Sequence, residues 1–460
     1  MRRWAIAIFV GAWGAGPWAG LPAQDLRQVV ARAEALGART GVAVADGAGE
    51  VLFLHRGAEA FTPASNMKVL TAAAVLQGLG AEFEFETTFR LAGGLLVVDA
   101  SGDPNWISGG PQDPAVVFAA VAHALRERGV RQLAGIRLAP GGFTGPLRPA
   151  TWPADQLTTW YCAPTGPFVL EQGTLSLRIS ASAQASADVR LVAPVADVAL
   201  RGSIAMVERG VAATYGATDQ RDGVLLRGRF PRGASAVTIR TAVADPAAWY
   251  EAALRRALRE AGIAVGGEAP ALPDQVVHRQ RSGLRAAVLR MLEDSSNFDA
   301  EQCLRVLGER TRGDGSLAGG RAAMQAELER LVGRLPNGIV LADGSGLSRQ
   351  NQITPGLLLA ALLRARGTPV GEALQACLPV SGRSGTLTGR FSGTDLVGRV
   401  RAKTGWIRGA SALSGVLERR DGTVRCFAIL MNYDPKQDGL NKDLKRLQEE
   451  IVRALDRTEG

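Results

Sequence analysis

Between Gly41 and His55 the run GVAVADGAGEVLFLH alternates apolar and polar positions about an Asp46-Gly47 turn signal, which is the pattern of a β-hairpin. After Pro63 the stretch from Ser65 to about Gln77 is apolar on nearly every side, so it predicts a helix threading a core rather than lying on a surface. Beyond Phe83 the texture changes to short alternating strands, such as LAGGLLVVDASGDPNW, separated by helices. Two of those helices resemble each other: DPAVVFAAVAHALRERGV at Asp113–Val130 and DPAAWYEAALRRALREAGI at Asp245–Ile263. Each has an N-cap Asp, a Pro at the first helical position, apolar spacing of three and four, and a Gly near its end. They bracket a Ser/Ala/Val-rich section, 163–242, whose alternating runs TLSLRISAS and DGVLLRGRF predict a separate β-rich subdomain. After Gln280 long helices return, followed by strand-like runs at Val397–Lys403 and Ala412–Leu417, another ending at Met431, and an amphipathic helix over Leu440–Leu455. The apolar helix at Ser65 needs packing partners from the C-terminal third, so one domain is interrupted by a long insertion.

A chain of 460 residues exceeds what one core supports, which fits two or three domains. Its first 23 residues, two arginines, an apolar run and then small residues, have the layout of a secretory signal peptide cleaved near Ala23. A membrane anchor needs about 20 unbroken apolar residues, and Pro17 interrupts this run. An exported, periplasmic protein is therefore expected. Cys162, Cys303, Cys377 and Cys426 are scattered without metal-ligand spacing; a Cys303–Cys377 bridge can be drawn, but small buried thiols are the favoured reading. His55, His123 and His278 show no motif, which argues against a Ser-His-Asp triad. The net charge of +9 is dispersed arginine with no basic block and no aromatic interleaving. That excludes a nucleic-acid footprint; it either favours anionic envelope polymers or lipid surfaces, leaving room for peripheral wall or membrane association, or is a plain preference for arginine.

Only five of the 53 basic residues are lysines, and three of these, Lys436, Lys442 and Lys445, lie together near the C-terminus. The other two stand in motifs. Lys68 follows Ser65 by three residues, on the same helical face, and an ammonium can release its proton where a guanidinium cannot. A lysine held neutral by burial and a neighbouring cation can deprotonate a serine. Lys403 opens Lys403-Thr404-Gly405 at the end of a strand-like run, where the glycine allows close backbone approach. Between them Ser295-Ser296-Asn297 stands at the start of a helix. Alone, each serine is most simply a helix cap. In order, S-x-x-K, S-x-N and K-T-G form the set used by penicillin-binding proteins and class A β-lactamases. No metal or organic cofactor is called for, because lysines and hydroxyls suffice for the proton transfers.

With these motifs the chain resembles the class C low-molecular-mass penicillin-binding proteins, which are D-alanyl-D-alanine carboxypeptidase/endopeptidases. The resemblance extends to SGDPNW, WPADQLTTWYCAP, DGSGLSRQNQITP and LPVSGRSGTLTGR, and to the 226 residues between Lys68 and Ser295. It implies a multi-domain α/β fold: a serine β-lactamase/transpeptidase-like domain, antiparallel sheet with helices on both faces, at 24–86 and 281–460. That domain would be interrupted by an inserted α/β domain at 87–162 and 243–280, itself carrying the β-rich insertion at 163–242. It further implies that Ser65 is acylated, Lys68 is its base, Ser295 relays a proton to the leaving D-alanine and Asn297 holds the substrate amide. Lys403 and Thr404 would meet the terminal carboxylate, Gly405 would lie beside the substrate backbone, and the backbone N–H groups of Ser65 and Trp406 would form the oxyanion hole. The implied partners are peptidoglycan stem peptides and crosslinks, with β-lactams as acylating inhibitors. Three positions depart from the family pattern. Ser296 replaces an aspartate and Trp406 a small hydroxyl residue. Gln156 stands where an acid is usual, with Asp155 one residue early as the candidate contact to the stem peptide. The competing readings are a peptidoglycan-binding protein of the same fold with little turnover, kept open by Trp406, and a slow penicillin-hydrolysing enzyme.

Overall fold

The computed structural model describes residues 21–192, 196–220, 222–268 and 272–457, so all but the last three residues of the signal-peptide reading lie outside the described residues. The described residues divide into two compact units, one gathering those within 21–81, 288–300 and 320–457 and the other those within 82–287 and 301–319.

The first unit is built on a five-stranded antiparallel sheet in the order Val400–Ile407, Ala410–Glu418, Val424–Asn432, Arg39–Asp46, Val51–His55. The expected hairpin is its last pair, and Asp46 closes the turn by accepting from the N–H groups of Ala48 and Glu50. One face alternates Val42, Val44, Leu413, Phe427, Ile429 and Met431, and it packs on the helices Leu21–Ala35 and Leu440–Arg457 through Leu26, Val30, Leu444 and Ile451. On the other face Ala43, Ala45 and Cys426 meet Leu359 of the helix Pro355–Ala365. The small residues there let that helix sit close to the sheet. Burial pushes the Cys426 thiol up to about 12, so it behaves as a small apolar group. All four cysteines are buried thiols. The helix Met67–Leu79 is buried at every position from Met67 to Leu76, as a run apolar all round requires.

In the second unit a sheet of Gln275–Gly283, Glu84–Ala92, Leu95–Asp99 and Gly135–Ala139 shares one core with the helices Pro114–Glu127 and Pro246–Glu260. Asp113 and Asp245 cap the two look-alike helices by accepting from Ala115 and Ala248 N–H, each ahead of a proline. Each helix leads into a short strand, Gln132–Leu133 or Ala264–Val265, and these strands pair in parallel. Strands between Thr174 and Ala242 form two further sheets around a separate core of Leu175, Leu177, Ile179, Val224, Leu226 and Phe230. Among the described residues no helix is long and apolar enough to cross a membrane.

Candidate active site

Ser65 does not open the α-helix, as its sequence context predicts. It occupies a tight 3-10 turn, Ala64–Asn66, and the α-helix starts at Met67. Asn66 accounts for the difference. Its buried amide donates to the Lys403 carbonyl at 3.0 Å and accepts from the Ser414 hydroxyl, tethering the turn to two strands of the sheet. Ala64 has φ 48°, a left-handed conformation that a residue with a Cβ adopts only when its surroundings enforce it.

One turn further on, Lys68 is fully buried. Its Nζ lies 3.0 Å from Ser65 Oγ, 2.7 Å from Asn297 Oδ1 and 2.6 Å from the Ser345 carbonyl oxygen. The last two partners only accept. When this amine is neutral it has two N–H donors and one lone pair, and with the donors engaged by Asn297 and Ser345 the lone pair faces the Ser65 hydroxyl. That is the arrangement a general base needs toward a serine.

Asn297 begins the helix Asn297–Arg312. Ser296 Oγ accepts from the Asp299 N–H at 3.1 Å, and buried Asp299 pairs with Arg290 at 2.7 Å. The capping role therefore falls to Ser296, which explains why a serine serves in the middle of the motif. Ser295, half-buried, turns the chain into this helix with φ 61°.

Lys403 is fully buried, and its Nζ donates to the Thr404 carbonyl at 3.0 Å. Burial first, and then the Lys68 ammonium, hold it well below the usual lysine range, with Asp294 opposing. Thr404 Oγ1 donates to Thr386 Oγ1 at 2.8 Å. Trp406 is 56% exposed and gives its indole N–H to the Tyr433 hydroxyl at 3.3 Å. Gly405 makes room for the protein itself: a Cβ there would stand 2.9 Å from Asn66 Nδ2 and 3.0 Å from the Pro63 carbonyl. Asp155 lies in the second unit, exposed in the 3-10 turn Ala154–Gln156, where Gln156 Oε1 accepts from Tyr161 Oη at 3.1 Å. Five of the motif side chains, Ser65, Lys68, Ser295, Asn297 and Lys403, thus belong to the first unit, and Asp155 to the second.

The sequence model of the D-Ala-D-Ala carboxypeptidase 3 (S13) family matches residues 22–456. The chain belongs to that family. It is 30% identical over 440 residues to a D-alanyl-D-alanine carboxypeptidase of an Actinomadura species, covering 86% of this chain and 78% of that one. It is 25% identical over 410 residues to the D-alanyl-D-alanine carboxypeptidase DacB of Haemophilus influenzae, covering 83% of each. The fold is shared with the crystal structure of penicillin binding protein 4 from H. influenzae, at a TM-score of 0.80 and 21% identity over 94% of this chain and 99% of the other.

Within this carboxypeptidase-family chain, two contributors escape a motif search. The Ser345 carbonyl is a backbone atom, so no residue type announces it; its signal is the run DGSGLSRQN, in which buried Asp343 accepts from Gly346 N, Ser348 N and Asn351 Nδ2, each at 2.7 Å. The other is Thr386, inside LPVSGRSGTLTGR. The energetics of Lys403 yield a prediction. Because its folded pKa is depressed, the unfolded chain binds more protons between that value and the ordinary lysine value, and stability rises with pH through this window. Lys403→Met removes the cost of burying this lysine, so it should raise Tm at neutral pH by roughly 2–4 °C for each kcal/mol released and flatten the pH dependence. Thermal melts from pH 6 to 10 would check this, and a lower Tm in the variant would refute it.

Proposed function

We propose that the protein is an exported, periplasmic serine DD-peptidase that removes terminal D-alanine from peptidoglycan stem peptides, and that the same site opens D-alanyl crosslinks. Ser65 Oγ attacks the carbonyl of the penultimate D-alanine while Lys68 takes the hydroxyl proton. The N–H groups of Ser65 and Trp406 receive the developing oxyanion, and Asn297 holds the substrate amide. Ser295 relays to the departing amine the proton that Lys68 took from Ser65, so Lys68 and Ser295 regain their starting forms, D-alanine leaves neutral in sum and an ester remains on Ser65. Water then adds to that ester and restores the serine. Lys403 and Thr404 attract the terminal carboxylate. β-Lactams acylate the same oxygen, and a crystal structure of the H. influenzae relative is a complex with one.

The observation that carries this reading is the triple contact of Lys68, with two obligate acceptors and the serine hydroxyl at 3.0 Å. Release of D-alanine from a peptide ending in D-Ala-D-Ala tests it. Turnover is expected from the wild type and none from Ser65→Ala; turnover that survives in the variant would overturn it.

A further inference from the structure

Thr386 lies outside S-x-x-K, S-x-N and K-T-G, in the stretch LPVSGRSGTLTGR, and its hydroxyl is 2.8 Å from that of Thr404. We propose that Thr386 is a substrate-binding residue, the second hydroxyl of a cradle for the terminal carboxylate, and this rests on the DD-peptidase reading above. Three lines of geometry support it.

The first is placement. Pro379–Ser381 runs alongside the strand that carries Lys403 and Thr404: Ala402 N donates to the Pro379 carbonyl at 3.0 Å, Ser381 N to the Val400 carbonyl at 2.9 Å, and Val380 bridges Arg401. The 3-10 turn Gly385–Leu387 follows, anchored by fully buried Leu387, whose carbonyl accepts from Gly382 N at 2.9 Å. Gly385 has φ 51°, and a Cβ there would lie 2.5 Å from the Glu293 carbonyl, two residues before Ser295. Thr386 is therefore held between the end of one motif-bearing helix connection and the strand of another.

The second is chemistry. Two hydroxyls at this separation satisfy each other when alone, and when a carboxylate enters they can each donate to one of its two oxygens. Lys403, buried behind Thr404, adds the positive end, and an arriving carboxylate favours its protonated form.

The third is the neighbour. Trp406 follows Thr404 by two residues on the same side of the strand and carries no hydroxyl, and its indole N–H is engaged by Tyr433. Thr386 is exposed, so its hydroxyl is open to a ligand, and the loss of its methyl and hydroxyl groups leaves the core untouched.

The test compares acylation rates of the wild type, Thr386→Val and Thr386→Ser by benzylpenicillin and by its methyl ester, which lacks the free carboxylate. The expected result is about a tenfold slower reaction of Thr386→Val with benzylpenicillin, no change with the ester, and recovery in Thr386→Ser. Equal slowing with both compounds, or no slowing with either, overturns the assignment. A wild type that neither compound acylates instead brings down the DD-peptidase reading beneath it. Unchanged melting of Thr386→Val confirms that the variant is folded.

Discussion

Lys68→Arg is expected to abolish acylation of Ser65, with a loss of about 10⁴-fold or more in the acylation rate, although the net charge is conserved. Arginine cannot be neutral at any pH the enzyme works at, so it offers the serine no lone pair. Its planar fork also fails to reproduce the contacts of Nζ, which reaches Ser65 Oγ, Asn297 Oδ1 and the Ser345 carbonyl from one compact centre. A second buried guanidinium-sized cation close to Lys403 adds repulsion in a site with no room for it. Stopped-flow acylation with a chromogenic β-lactam measures the loss, and a variant within tenfold of wild type would remove Lys68 from the role of base. The same reasoning explains why a chain so rich in arginine retains lysine here.

Gly346→Ala should be nearly as damaging, by a structural route. Gly346 has φ 80°, and a Cβ there would stand 1.8 Å from the Ala64 carbonyl oxygen, the backbone atom just ahead of Ser65. Neither neighbour is a flexible side chain that can swing away. The loop must therefore retreat from the serine turn, and it carries the Ser345 carbonyl off Lys68 and the Gly344 carbonyl off Thr71, now bonded at 2.6 Å. A backbone clash of this kind, joined to a left-handed φ, costs on the order of 4 kcal/mol. We expect a fall in Tm together with loss of acylation. Activity retained in a folded Gly346→Ala protein would show that the Ser345 carbonyl is dispensable for the base.

What was legible in the sequence follows from what side chains announce. The hairpin at Gly41–His55, the two Asp-Pro helices and the apolar run after Ser65 were readable because periodicity, caps and turn residues are local properties. The expectation of an interrupted domain came from a helix apolar on all sides, which needs a core that its own neighbours do not supply. Ser65, Lys68, Ser295, Asn297 and Lys403 stood out as residue types in order. The tight turn at Ser65 did not, since it arises from Asn66 binding the Lys403 carbonyl 337 positions away. The Ser345 carbonyl has no sequence identity at all, and Thr386 gains meaning only where its loop lies along the strand of Thr404. Gly405 was legible as a position of close approach, and the protein's own serine turn at Pro63 and Asn66 lies against it.

The account rests on Ser65 being a nucleophile that Lys68 activates. Intact-mass spectrometry of the purified protein after brief exposure to benzylpenicillin, run beside Ser65→Ala, measures that directly. A single penicilloyl adduct on the wild type, absent from the variant, is the predicted result. A folded wild type that remains unmodified, or a variant that still gains the adduct, would contradict it.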